Sequence, residues 1–260
     1  EEKEILKIAG KRRIYTVMRE DSLVYQVNGP ARIELIARYP SPIKSSKSQP
    51  FSYQLMINNE EPIKINHRYK LQKSIRSVQH PNHYYTYSGN YFINIKDGDH
   101  KLTISANLDQ KYPVLLRVIK KDFKKSRNNI HELQPMVFQT NRTVVVSEKE
   151  ISYYDLIHGR PLQLEMNGPK ILRILSRLLF ESQMGDIESY RIRVKIGRKV
   201  LGTYYISTER SSDSTVEGLS DKVPGKWRTC EVTIPEGKHV ISVELVEKER
   251  SVLTRFQEFK

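Results

Sequence analysis

Apolar and polar positions alternate with a period of two along much of the chain. Tyr53, Leu55 and Ile57 alternate with Gln54, Met56 and Asn58, and Tyr190, Ile192, Val194 and Ile196 alternate with Arg191, Arg193 and Lys195. Ile241, Val243 and Leu245 repeat the pattern near the end. A period of two marks strands with one buried face. Ile5–Ala9, Ile14–Met18, Leu23–Val27, Ile63–Ile65 and Lys101–Leu108 read as further strands. The predicted core is Ile33, Leu35, Leu55, Ile57, Leu102 and Ile104, with Leu172, Ile174, Ile192, Val194, Ile241 and Val243. Helical periodicity is scarce. Leu172–Phe180 fits a helix in isolation, but the Gly-Pro pair ahead of it and its counterpart earlier in the chain favour a strand.

That counterpart belongs to a repeat. Asn28-Gly29-Pro30 is followed by an alternating segment ending at Arg38, and Asn167-Gly168-Pro169 by one ending at Arg177. Gly tolerates positive φ and Pro fixes its own, so both triplets predict turns. At the offset that carries Gly29 to Gly168, Tyr15 matches Tyr154, Val17 matches Leu156, and Ile5-Leu6 matches Val144-Val145. Further on, Ile93 and Ile95 match Val232 and Ile234, Gly98-Asp99-His100 matches Gly237-Lys238-His239, and Arg117 matches Arg255. The Asp-Gly pair at Asp97-Gly98 signals a hairpin turn, and Pro235–His239 a tight turn into the next strand. Each copy is about 115 residues, the size of one small domain and too long for a solenoid repeat. The expected fold is all-β: two tandem homologous antiparallel β-sandwich, jelly-roll-like domains from an internal duplication. The expected limits are 1–119 and 143–260, with a basic connector at 120–142 that includes Lys120, Lys121, Lys124, Lys125 and Arg127.

A length of 260 residues and a hydrophobic share of 38% suit two ordinary cores. The single cysteine, Cys230, rules out an internal disulfide and cysteine-paired metal sites. A formal net charge of +14 favours polyanionic partners. No apolar run reaches the roughly 18 residues of a membrane-spanning helix. The sequence opens at Glu1 without a methionine, which fits a cleaved leader or a trimmed chain, and an extracytoplasmic setting is expected.

Motifs for chemistry are few. No nucleophile elbow, phosphate loop, dinucleotide fingerprint or His-Glu-x-x-His occurs. His100 and His239 each follow a Gly-x step and read as histidines capping a turn through a ring nitrogen. His80 and His83, with His67, are the one histidine group with a metal alternative; no metal and no cofactor are expected. The window 79–91 is the richest in aromatics, and Tyr84, Tyr85, Tyr87 and Tyr91 with His83 form the candidate ligand site. Aromatic rings stack on sugar faces while their hydroxyls hydrogen-bond. The second copy offers Trp227 in the corresponding region. Arg38, Arg177, Arg117 and Arg255 are candidate anion-binding residues, with pairing to a carboxylate or a loop as the structural alternative. No nucleic-acid-binding motif is present, and the basic residues form no single stripe.

The short strands, the Asn-Gly-Pro triplets and the Gly-x-His steps resemble the β-sandwich modules attached to secreted proteins, including carbohydrate-binding-like domains. The resemblance implies a non-enzymatic protein that binds or assembles, engaging an anionic glycan, a cell-surface polymer or the subunits of a larger complex. The alternative is a polysaccharide-active hydrolase or its accessory domain, which needs a carboxylate pair placed by the fold.

Overall fold

The protein is all-β. The computed structural model describes residues 2–121 and 130–259, and these contain no helix. The chain divides into two compact units, Glu1–Phe123 and Lys124–Lys260. Unit 1 holds β1 (Lys3–Ile8), β2 (Lys11–Met18), β3 (Leu23–Arg38), β4 (Pro40–Ser41), β5 (Gln49–Ile57), β6 (Ile63–Tyr69), β7 (Leu71–Gln72), β8 (Arg76–Ser77), β9 (Tyr84–Thr86), β10 (Gly89–Ala106) and β11 (Val114–Lys121). Its antiparallel ladder runs β8-β1-β2-β11-β3-β10-β5-β6. A small sheet, β4-β9-β7, stands apart from that ladder.

Unit 2 holds β12 (His131–Leu133), β13 (Asn141–Val146), β14 (Lys149–Ile157), β15 (Leu162–Phe180), β16 (Ile187–Ile196), β17 (Lys199–Glu209), β18 (Ser214–Val216), β19 (Val223–Pro224), β20 (Arg228–Leu245) and β21 (Ser251–Phe259). Its ladder runs β18-β13-β14-β21-β15-β20-β16-β17. β12 adds to the edge of β21 and β19 to the end of β15. The expected connector is therefore not all linker, because His131–Leu133 and Val137 pair with strands of unit 2. Lys120 and Lys121 end β11, while Lys124, Lys125 and Arg127 lie outside the described residues.

The Asn-Gly-Pro triplets do not reverse the chain. β3 runs straight through the first of them, and β10 accompanies it on both sides. Ile95 pairs with Ala31 and Gly98 with Gly29, so Lys96 and Asp97 together oppose the single Pro30. Two residues against one is a β-bulge. Proline has no N–H for a ladder, which suits the position that the bulge skips. β15 and β20 repeat this: Gly168 pairs with Gly237, Lys170 with Ile234, and Pro169 is skipped. The Asp97-Gly98 and Pro235–His239 signals thus mark bulges inside continuous strands, not hairpin turns.

Each bulge divides its long strand pair between two portions of sheet. Leu23–Gly29 joins the strands toward β5 and β6, and Ala31–Arg38 those toward β11, β2 and β1. Glycine is required on both sides of the corner. A Cβ on Gly29 would lie 1.6 Å from the Lys96 carbonyl oxygen, and one on Gly168 would lie 1.8 Å from that of Pro235. Opposite them, Gly98 and Gly237 have φ of +100° and +102°, which L side chains rarely adopt.

All twelve predicted core residues are buried, and the most exposed of them, Ile57, shows only 8% of its surface. The strand registers are therefore as the alternation implies; a slip of one residue would have turned each set outward. The sequence pairing needs one adjustment at the N-terminal strands. Leu6 and Tyr15 sit in a buried cluster with Leu115, and Val144 and Tyr153 sit in one with Leu253. Tyr15 thus corresponds in role to Tyr153, not Tyr154, and Leu6 to Val144.

Replacing Gly29 or Gly168 by alanine should destabilise the protein by about 3 kcal/mol or more, because backbone and not a flexible side chain must move. Gly10→Ala, which meets open space at φ +75°, should cost about 1 kcal/mol. Urea unfolding of the three variants measures this, and equal costs would contradict the close approach at the corner.

Candidate functional site

Beside the small sheet of unit 1, an open cleft of about 520 Å³ is bordered by Ile43, Lys44, Arg76, Asn82, His83 and Tyr84. Two short turns build it. Ser41 Oγ donates to the Ile43 carbonyl at 2.7 Å and fixes the segment that carries Lys44. His80 N–H donates to Ser77 Oγ at 2.9 Å, and His83 N–H to the His80 carbonyl at 3.0 Å, closing the turn around Pro81. The His80 and His83 rings stack with centroids 4.9 Å apart. Arg76 is oriented by the carbonyls of Lys73 and Ile75, at 2.7 and 2.8 Å. No Asp or Glu lines the cleft, so its field is cationic.

Behind it lies the buried Glu4 carboxylate, which accepts from the Tyr85 hydroxyl and meets His80 Nδ1 at 3.1 Å. Burial, and then the neighbouring Glu4 carboxylate, push the Tyr85 phenol well above the usual tyrosine range. Tyr85 is fully buried with Leu6, Tyr15, Ile75 and Leu115, and Tyr91 is also in the core. The tyrosine window is therefore not one surface. Tyr84 and His83 reach the cleft, Tyr85 and Tyr91 face inward, and Tyr87 is exposed beyond the cleft's lining. In a strand, neighbouring side chains point to opposite faces, and that alternation separates Tyr84 from Tyr85.

The four arginines differ in kind. Arg38 and Arg177 are interior, so the surface anion role does not hold for them. Arg38 Nη1 donates to the Thr86 carbonyl at 2.6 Å and Nε to the Tyr15 hydroxyl at 3.2 Å. Arg177 Nη1 donates to the Gly225 carbonyl at 2.8 Å and Nε to the Tyr153 hydroxyl at 3.4 Å. Arg255 is clasped by both oxygens of Glu132, at 2.8 and 2.6 Å. Arg117 is half-buried, and nothing among the described residues binds its guanidinium.

The histidines of the Gly-x-His steps bind as expected, though at a bulge. His239 Nε2 lies 3.0 Å from the Glu236 carbonyl, and His100 Nε2 lies 3.4 Å from that of Asp97. His67 packs against Phe51 and Tyr53. Among the described residues no three His, Cys, Asp or Glu side chains gather as a metal site.

Unit 2 has a cleft of about 480 Å³ in the corresponding place, beside β18 and β19, as the first lies beside β8 and β9. It is lined by Ser214, Ser220, Lys222 and apolar residues, and Lys222 is already paired with Glu181 at 2.8 Å. Trp227 is exposed and is not part of that lining. Lys44 and Glu4 escaped the sequence analysis because only the fold brings them to His80–Tyr84, while Arg76 lies just ahead of the aromatic window.

No known protein family and no curated protein matches the sequence. Among solved structures, the chain is similar to the N-terminal CBM22-1–CBM22-2 tandem domain of Paenibacillus barcinonensis Xyn10C, at 10% identity and a TM-score of 0.26, over 96% of this chain and 87% of that one. It is similar to a mutant of Bacillus subtilis oxalate decarboxylase OxdC at 7% identity and a TM-score of 0.13, over 99% of this chain and 69% of that one. Likenesses this faint carry no functional meaning.

Burial also raises the phenol pKa of Tyr53 and Tyr190. The unfolded chain releases these protons near pH 10 while the folded chain keeps them, so their contribution is complete below that pH and is lost as pH rises further. Denaturant midpoints should therefore fall between pH 8 and pH 11. Tyr85→Phe should cost about 1–3 kcal/mol at neutral pH by removing the Glu4 donor, and should make the alkaline fall smaller.

Proposed function

We propose that the two units are copies of one jelly-roll-like β-sandwich produced by internal duplication, and that the chain is a non-enzymatic binding protein acting outside the cytoplasm. Its ligand is an acidic glycan or similar polyanion, held at the cleft of unit 1. The duplication is supported by the identical order of the two ladders, the two Gly-Pro bulges and the two buried arginines with matching acceptors.

The contrast between the two clefts carries the ligand assignment. One position in the fold holds Lys44, Arg76, His83 and Tyr84 without a lining carboxylate in unit 1, and serines with a neutralised lysine in unit 2. The cations of the unit 1 cleft are exposed and have no carboxylate in the lining to neutralise them, which leaves them available to an anionic ligand. The exposed cations attract phosphate, sulfate or carboxylate groups, and the Tyr84 ring offers a face to a sugar. The net charge of +14 raises the local concentration of such a ligand.

Calorimetric titration with a polyuronate, a sulfated glycan and a neutral glucan is the test. The acidic glycans should bind and the neutral one should not. Lys44→Ala with Arg76→Ala should weaken binding by about ten-fold or more, the loss of charge-assisted hydrogen bonds. Raising salt from 0.1 M to 1 M shortens the screening length from about 10 Å to about 3 Å and should remove most of the affinity. Equal binding by the double variant, or turnover of any polysaccharide dependent on one Asp or Glu, would overturn this function.

A further inference from the structure

Two parallel rows of side chains cross one face of unit 1 beside the cleft. Arg76, Lys7 and Arg12 pair in register across β8, β1 and β2, so they stand side by side on the same face. With strands about 4.8 Å apart, this row is about 10 Å wide. Two residues along each strand, about 7 Å away, come Val78, Ile5 and Ile14. Ile5 pairs with Ile14, and Val78 N–H donates to the Ile5 carbonyl at 2.9 Å. The three cations are exposed. Val78 and Ile14 are 46% and 58% exposed, and Ile5 is half-buried between them.

No acid of these three strands stands on this face. Their one carboxylate, Glu4, is on the opposite face with Tyr15, where it accepts from the Tyr85 hydroxyl. No carboxylate among the described residues pairs with Lys7 or Arg12. The strands themselves require neither row. In unit 2 the matching face of β18, β13 and β14 carries Thr215, Val145 and Glu150 in one row, and Glu217, Thr143 and Ser152 in the other. There the chain ahead of β13 pairs with β21 and β15, and it leaves Thr215, Glu150, Glu217 and Ser152 exposed. Single exposed aliphatics are ordinary on a protein surface, but adjoining ones beside unpaired charge mark a contact face.

We infer that this face extends the cleft into a track for a linear acidic glycan, whose anionic groups lie along Arg76, Lys7 and Arg12 while the C–H faces of its rings lie on Val78, Ile5 and Ile14. The inference takes its class of ligand from the cleft reading. Arg76 belongs to both places, since it lines the cleft and pairs with Lys7, so a chain leaving the cleft meets the row directly. Two rows one pleat apart fit a single extended polymer with charge on one side and hydrocarbon on the other. A row of cations holds successive anionic groups of one polymer, and each group already held raises the effective concentration of the next. A lone phosphate or uronate gains nothing from the row. The ligand class is thus a chain of repeated acidic sugars.

The test is calorimetric titration of the full chain with a uronic acid disaccharide and with the octasaccharide of the same sugar. The octasaccharide should bind at least about ten-fold tighter. Lys7→Ala with Arg12→Ala should remove most of that gain and leave disaccharide binding unchanged. Both side chains are exposed, so the fold should hold, which an unchanged urea midpoint checks. Ile14→Ser, with the residue that unit 2 has at this place, should weaken the octasaccharide by about three-fold through lost apolar contact, a loss that added salt does not alter. Lys149→Ala with Lys199→Ala takes the same charge from unit 2, where both lysines are exposed, and should leave the gain in place. An octasaccharide that binds no tighter than the disaccharide overturns the track and leaves the cleft standing. So does a gain that survives Lys7→Ala with Arg12→Ala, or one that the unit 2 variant removes equally. Loss of the gain in the track variant, with Lys44→Ala changing neither sugar, supports the track and sinks the cleft reading alone. No binding of either sugar overturns both. Vesicles of phosphatidylglycerol and phosphatidylcholine that bind through Ile14, with no gain for the octasaccharide, would mean that a membrane takes this face, and would overturn the track as well.

Discussion

A carbonyl oxygen pressed against a glycine Cα is the contact on which each unit depends. At Gly29 and again at Gly168 the opposing strand comes too close for any side chain. Everything else in the ladder hangs on that approach. One long strand pair contributes to both portions of the sheet because it bends without breaking its pairing, and the bend exists because two residues cross over one proline. A turn at the same place would have ended the strands and separated the two portions.

The second constraint is electrostatic. A guanidinium removed from water is costly unless its N–H groups find acceptors. Arg38 and Arg177 find a tyrosine hydroxyl and a backbone carbonyl from a segment 48 residues further on in each case. The arginine thereby ties the end of β3 or β15 to the segment that borders the cleft, the end of β9 in unit 1 and the residue after β19 in unit 2. Core packing and cleft geometry are coupled through one side chain, so the cleft is set by the fold beneath it.

The alternation of apolar residues made the strands and the buried set legible, since a period of two states directly which residues face inward. The repeat was legible because Gly-Pro, Gly-x-His and the strand-end arginines recur at nearly constant spacing. What the glycines do was less so. Gly-Pro and Asp-Gly encode local backbone angles, and the same angles serve a chain reversal or a bulge; only the pairing partner decides between them. Tyr84 to Tyr91 looked like one cluster because composition ignores facing. Glu4 behind the cleft and Glu132 on the edge of β21 act on residues 76 and more than 120 positions away, a separation that no local pattern reports.

The two buried arginines take hold of Thr86 in one unit and Gly225 in the other, and in both they grip the main chain. A carbonyl is common to all twenty amino acids, so this hydrogen bond asks nothing of the side chain it holds, although at Gly225 a Cβ would lie 2.9 Å from the Phe180 ring. The bordering loops can change their side chains without loosening their attachment. Such a scaffold permits unlike side chains at the rim over a like frame, and the two bordering segments can carry different chemistry without either unit having to refold.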